Sequence, residues 1–404
     1  MSSAESPEYL VSEAQLVLTE ARRQKSLRTK DLGEPIQLTG KALALQVHHG
    51  FGWIAENTTV ARKIDLETGK TLQLYKGHTG PVTSLAFYES LLITGSWDKT
   101  IKVWDATTKA LVSSTDAHSD FVKCLFVLPS LGLLVSGSSD KIVRFWDISS
   151  VAEGTPLTSM GSISSHTRPI SCLAGVAISE TSATLCTADT MGVIRIWDLV
   201  KEEGDAPRWK SVLKTELKQH RTGINEVYLA GDQLWTASAD ETAQLALAFK
   251  PTLSIAHPVA VRCILPLSQL SEPYVITGSG DVIRVYDVSS PESPELLNEV
   301  DAHWHDVTAL QLWMRPWSGG EGPPASMEPW VISTSLDGTI RKWKVAGKSF
   351  NGCLYCGLKR RHADLITPQP RQPPQTKKVK EETKTEFEMT EDEERELAEL
   401  MGDD

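Results

Sequence analysis

The chain has 404 residues, with 41 Lys+Arg against 52 Asp+Glu and a formal net charge of −11. Its 40% hydrophobic and 23% charged content are those of an ordinary soluble globular chain, not of a disordered or collagen-like one. No apolar run reaches the ~18–20 residues that a bilayer span needs. The opening MSSAESPEYL carries no charged-then-apolar leader, and six scattered cysteines make no disulfide framework, which points to a reducing compartment.

The charge is unevenly spread. Residues 381–404 carry 12 acidic and 2 basic side chains, and residues 351–380 carry 7 basic and 1 acidic. Residues 1–31 balance, which leaves residues 32–350 at net −7. The acidity is therefore largely a property of the tail. It weighs against a general nucleic-acid binder and says nothing about fold.

At the N-terminus, Ser6-Pro7-Glu8 has the character of a helix start, with Ser as cap and Pro in the first turn. Leu10, Ala14, Val17, Leu18 and Ala21 then follow on one apolar face. The helix ends in a basic run, residues 22–30, and either docks on the body of the protein or reaches a partner.

Next comes a repeat. GSWDKTIKVWD (95–105), GSSDKIVRFWD (137–147), ADTMGVIRIWD (188–198) and GSGDVIRVYD (278–287) match closely, and TSLDGTIRKWK (334–344) and ASADETAQLALA (237–248) fall into line with them. A histidine stands upstream of each, at positions 78, 118, 166, 220, 257 and 303, separated by 40, 48, 54, 37 and 46 residues. After each histidine run three short β-branched or apolar segments, such as VTSLAF, LLITGS and TIKVWD, punctuated by Gly, Ser and Asp. These predict short antiparallel strands, and a fourth precedes the next histidine. Four strands cannot bury both faces alone, whereas units packed side by side in a ring can. The residue four before the turn Asp is a hydroxyl each time: Thr94, Ser136, Thr236, Thr277 and Ser333.

The pattern resembles the WD-repeat β-propeller family, with its His start and Trp-Asp end in units of ~40–45 residues, over roughly residues 34–346. The resemblance implies an all-β, seven-bladed propeller, with six blades as the fallback. Residues 34–77 supply the seventh unit without the His or Trp, and a strand near Pro35–Thr39 completes the last blade and closes the ring. It also implies a buried hydrogen-bonded chain within a blade. The sets would be His78–Thr94–Asp98–Trp104, His118–Ser136–Asp140–Trp146 and His303–Ser333–Asp337–Trp343. The fourth unit keeps His166, Thr187 and Trp197, but Met191 stands where the Asp is expected and Asp189 is displaced. Ala246 replaces the Trp of the fifth unit, and Tyr286 in the sixth comes one residue early.

By position, the same resemblance puts Trp97, Phe121, Arg168, Trp304, His305 and Leu336 on the narrow-channel face, where propellers meet partners. Trp97 and Trp304 come near one another only around the ring. A Trp-bearing insertion, WMRPWSGGEGPPASMEPW (313–330), reads as a long loop that folds against the disc or meets a partner. The blade-start position accounts for six of the ten histidines, and the others lack metal-ligand spacing. Neither a phosphate loop nor a nucleophile motif is present, so no enzyme, cofactor or metal is expected. Cys353 and Cys356 form a C-x-x-C without a second pair and read as an apolar plug.

The tail begins with a Pro/Gln-rich stretch, 366–376, that should stay extended and largely disordered. Lys377, Lys378 and Lys380 resemble a nuclear-import signal, and Lys380 also fits a SUMO-attachment pattern. Finally, Thr390 with Glu393 makes a capping box before a narrow stripe of Leu397, Leu400 and Met401, an acidic segment suited to fold on a basic partner. The expected organisation is a helix and basic linker (1–33), the propeller (34–350), a basic Pro-rich linker (351–389) and an acidic amphipathic helix (390–404). The function this implies is a non-enzymatic scaffold or adaptor of a multi-subunit complex, monomeric by itself and away from membranes. The nucleus is the expected location, with a cytoplasmic pool left open. A substrate receptor or modified-histone reader and an RNA- or DNA-associated subunit are the alternatives.

Overall fold

The computed structural model describes residues 13–151, 154–202, 204, 207–301, 303–316 and 327–345. The start of the N-terminal helix at Ser6, Trp317, the Cys353/Cys356 pair, the three import lysines and the acidic segment with Leu397, Leu400 and Met401 lie outside the described residues.

A single α-helix among the described residues, α1 (Glu13–Arg28), comes first, followed by β1 (Ile36–Gln37). Seven four-stranded antiparallel sheets follow one another around the chain as blades. Blade 1 is β2–β5 (Ala42–His48, Phe51–Glu56, Val60–Asp65, Thr71–Lys76) and blade 2 is β6–β9 (Val82–Tyr88, Leu91–Ser96, Thr100–Asp105, Leu111–Asp116). Blade 3 is β10–β13 (Val122–Leu128, Leu133–Ser138, Val143–Asp147, Thr158–Ile163). Blade 4 is β14–β17 (Ile170–Ser179, Ser182–Asp189, Ile194–Glu202, Arg208–Leu217). Blades 5 and 6 are β18–β21 (Ile224–Ala230, Gln233–Ser238, Thr242–Leu247, Lys250–Ala256) and β22–β25 (Val261–Pro266, Tyr274–Ser279, Val282–Asp287, Glu295–Val300). Blade 7 is β26–β28 (Val307–Pro316, Met327–Ser335, Thr339–Lys344), completed on its outer edge by β1.

The strands are short β-branched and apolar runs, the second of each blade buried almost throughout, and the buried rows of neighbouring blades meet. Between blades 1 and 2, for example, Trp53 and Tyr75 pack with Leu85, Leu92 and Trp104. Each such fully buried large side chain is worth about 1.5–3 kcal/mol.

Only two residue pairs, Ile36↔Ile340 and Gln37↔Thr339, tie β1 to β28. The segment before β1 supplies the rest of the closure. Arg341, almost fully buried, donates through Nη1 to the Thr29 carbonyl at 2.6 Å and to that of Leu32. The Lys342 N–H donates to the Gly33 carbonyl at 2.6 Å. Gly33 adopts φ +68, and a Cβ there would stand 2.7 Å from the Trp343 ring, so glycine is required on two counts.

The insertion expected at 313–330 as a loop that folds against the disc or meets a partner is strand at both of its described ends. β26 and β27 run into it from either side, paired as far as Pro316↔Met327. Trp313 and Trp330 are buried, 6.3 Å apart between ring centroids. Arg315 lies over both rings and pairs with Glu67 of blade 1 at 2.7 Å. These tryptophans therefore belong to the blade 7–blade 1 contact, because alternation along the strands turns them inward.

The histidine face and its aromatic anchors

In every blade the start of the inner strand and the turn between the second and third strands fall at the same end of the sheet, since the strands are antiparallel. The blade histidines, the turn acids and the expected anchors thus share one surface, here the histidine face.

In blade 2 the turn is shaped by Asp98, whose Oδ1 accepts the Thr100 N–H at 3.0 Å and its hydroxyl at 2.7 Å while Lys99 takes φ +71. That leaves Oδ2 for His78 Nδ1 at 2.7 Å. His78 Nε2 meets Thr94 Oγ1 at 2.7 Å, and the Trp104 indole N–H donates to the same oxygen at 2.9 Å. Burial of the group is offset by these bonds, and the His78 and Thr100 contacts hold the Asp98 carboxyl far below the usual carboxylate range. Blade 3 repeats the chain, with His118 to Asp140 at 2.9 Å, His118 to Ser136 at 2.7 Å and Trp146 to Ser136 at 2.8 Å. Blade 7 does so with His303 to Asp337 at 2.8 Å and both His303 and Trp343 at 2.9 Å from Ser333.

The irregular blades show what spacing alone concealed. In blade 4, His166 meets Thr187 at 2.8 Å, Trp197 donates to Thr187 at 2.9 Å, and Asp189 takes the acid position at 3.2 Å. Asp189 reaches inward from the end of β15, and Met191 is left exposed in the turn. Blade 5 keeps a His220–Asp240–Thr236 set, at 3.0 and 2.7 Å, without a Trp. In blade 6, Tyr286 pairs with Val275 just as Trp104 pairs with Leu92, so it stands in register. Its apparent early arrival reflects a β23–β24 turn one residue shorter. That same turn carries Asp281 away from His257, whose ring reaches only Thr277 at 2.9 Å and the Ile255 carbonyl at 3.2 Å. Blade 1 replaces the chain altogether: buried Glu56 pairs with Arg62, which also donates to Thr71 at 2.8 Å and Thr39 at 2.5 Å. The Glu and Arg six residues apart on paired strands were the available signal for this substitute.

The anchor residues fall into two groups. Trp97 and Phe121, 43% and 38% exposed, stack with ring centroids 5.0 Å apart across blades 2 and 3. Trp304 and His305 adjoin in blade 7, 6.3 Å apart and partly buried. Blade 1 stands between the groups, so the face carries two aromatic patches and not one. Arg168 is exposed in blade 4, and Leu336 is half-buried, its N–H donating to the Asp306 carbonyl at 3.0 Å.

For helix α1 the sequence left two readings open, docking on the body or reaching a partner. Its basic end docks on this face: Lys25 pairs with Asp281 at 2.6 Å and with Asp301, to which Arg28 also binds. The described members of the apolar stripe, Ala14, Val17, Leu18 and Ala21, are all exposed, Val17 and Leu18 by about 60%. Residues 14–24 stand in solvent on every side, and Arg22, Arg23, Thr19 and Ser26 form a groove with Trp304.

The channel through the ring is lined by inner-strand residues and measures about 380 Å³. Burial pushes the Glu226 carboxyl up to about 7 while it accepts the Ile264 N–H at 2.7 Å. The neighbouring Cys172 thiol is pushed up to about 12 by burial. No group of three His, Cys, Asp or Glu able to hold a metal occurs among the described residues.

A ring of seven four-stranded blades, of which blades 2, 3, 4 and 7 carry a complete His–Ser/Thr–Asp–Trp chain, defines a repeat propeller. The fold, the family model and the relatives support the WD-repeat β-propeller family for this chain. The family model "WD domain, G-beta repeat" matches residues 69–105 and 109–147. A WD repeat-containing protein of Schizosaccharomyces pombe is 28% identical over 361 residues, 83% of this chain and 88% of its own length. The Target of rapamycin complex subunit LST8 of Saccharomyces cerevisiae is 33% identical over 42% of this chain, which spans 54% of that protein. Among solved structures, the computationally designed Ika8 protein superposes with a TM-score of 0.54 at 24% identity, over 75% of this chain and 83% of its own, a likeness of fold. Proteins of this family are generally non-catalytic interaction scaffolds within complexes.

Proposed function

We propose that this protein is a non-enzymatic adaptor that assembles a multi-protein complex through its histidine face. The observation that carries the reading is the exposed Trp97–Phe121 stack bridging two blades. Large rigid aromatics held on a scaffold lose little entropy on binding and are the usual anchors of interfaces. The membership of LST8 in a multi-subunit complex supports the reading by likeness. Affinity purification of the full chain beside a Trp97→Ala, Phe121→Ala variant tests it. A reproducible set of partners lost from the variant supports the reading, and an unchanged set overturns it.

The site of action we propose is the nucleus, from Lys377, Lys378 and Lys380 in the basic stretch. Nuclear uptake of a reporter fused to residues 351–404, abolished by replacing those lysines, is the expected result. A reporter that stays in the cytoplasm refutes it.

A further inference from the structure

Among its described residues, helix α1 is rooted at its C-terminal end. Its last turn is pinned by Lys25, Arg28 and Thr29, while residues 14–24 are exposed around the whole helix. A helix of this length without packing is marginal in water. Thr19, Arg22, Arg23 and Ser26 occupy positions i, i+3, i+4 and i+7, one stripe, and that stripe looks onto Trp304 across a groove of about 370 Å³.

The groove is cationic on a disc that is net negative. Arg23 is balanced by Glu20 at 2.8 Å, but Arg22 makes no ion pair among the described residues. Burial holds His305 below its ordinary pKa, and the positive charges of Arg22 and Lys41 add to that effect. The Arg22 guanidinium therefore stands, without an ion-pair partner among the described residues, beside a Trp floor. Guanidinium groups pair with carboxylates, and an indole accepts a bulky apolar side chain.

We infer that the groove between α1 and Trp304 binds an acidic peptide segment carrying a bulky apolar anchor, presented by a protein partner. This rests on the histidine face being the partner-binding surface, and it names the chemistry recognised at blade 7. Carboxylates on the segment neutralise Arg22, the anchor lies on Trp304, and the segment covers the helix surface that the disc leaves bare.

The test is selection of a random peptide library displayed on phage against the full chain, counter-selected on an Arg22→Glu, Trp304→Ala variant. Arg22 is exposed and Trp304 lies at the face, and an unchanged circular dichroism melt confirms that the variant is folded. Surviving peptides should be rich in Asp and Glu around a Trp, Phe or Leu. They should bind the variant about tenfold or more weakly and bind Trp97→Ala as they bind the unaltered chain. Survivors that are neutral or basic, or no survivors at all, overturn the inference. A dimer in light scattering that the variant abolishes would assign the groove to a second copy and also overturn it. Purified partners separate this from the broader reading. Loss from the Trp97/Phe121 variant with no loss from the Arg22/Trp304 variant sinks only the groove, and no loss from either sinks both.

Discussion

The ammonium of Lys25 lies 2.6 Å from the Asp281 carboxylate, although Asp281 follows Thr277 by the same four residues that separate Asp98 from Thr94. Two residues join β23 to β24, where three join β7 to β8. The shorter turn removes the acid from its histidine and gives it to the helix. Asp281→Asn should therefore cost under about 1 kcal/mol of global stability, as exposed pairs do. Hydrogen exchange in residues 20–33 should nonetheless quicken. Asp98→Asn, at a buried and fully bonded position, should cost about 2–4 kcal/mol. Equal losses in urea titrations of the two variants would refute the difference in role.

Blade 1 offers a charge pair to dissect. Glu56 is fully buried and its partner Arg62 nearly so. Arg62→Met leaves the carboxylate without its cation and should destabilise by about 3–5 kcal/mol. The double change Glu56→Gln, Arg62→Met should recover much of that loss. A double variant as unstable as the sum of the single ones would mean that the two groups do not act as a pair.

Stability should fall as acid is added below neutrality. His257 lacks an acid partner, and burial lowers its pKa from 6.5 to about 4. The folded state then resists a proton that the unfolded state accepts, so stability is present above 6.5 and is lost as pH falls toward 4. At about 1.4 kcal/mol per pH unit this single ring contributes about 3 kcal/mol. His118, His166, His220 and His303 are also lowered by burial and act in the same direction. Asp240, held at about 2 against burial by Thr242, the Arg221 N–H and His220, extends the loss below 3.8. Urea midpoints from pH 7 to 4 should decline steadily, and His257→Gln should flatten the curve between 6.5 and 4. A curve of unchanged slope in that variant would dismiss His257 as the source.

Ring closure depends on a close approach. Gly33→Ala places a methyl against Trp343 in a left-handed backbone and should cost about 1–3 kcal/mol. The protection of β1 and β28 amides against exchange should fall with it. Protection lost evenly from all blades would instead indicate a general destabilisation.

The strand pattern, the blade count and the three full His–Ser/Thr–Asp–Trp sets were legible in the chain because they are local. Period-two alternation, a tight turn and a hydroxyl four residues before an acid all lie within some forty residues, and each blade closes its own bonds. What tertiary structure decided were partnerships between distant segments. Asp189 serves His166 from an unexpected position, Asp281 leaves His257 for Lys25, and Glu56 with Arg62 stands in for a missing network. Trp313 and Trp330 turn into the seam between blades, while α1 stands beside Trp304. A side chain's partner is set by which strands and turns are brought alongside it, and a change of one residue in a turn redirects a carboxylate. The ring was written in the repeat, but the groove on its face appears only once the ring has closed.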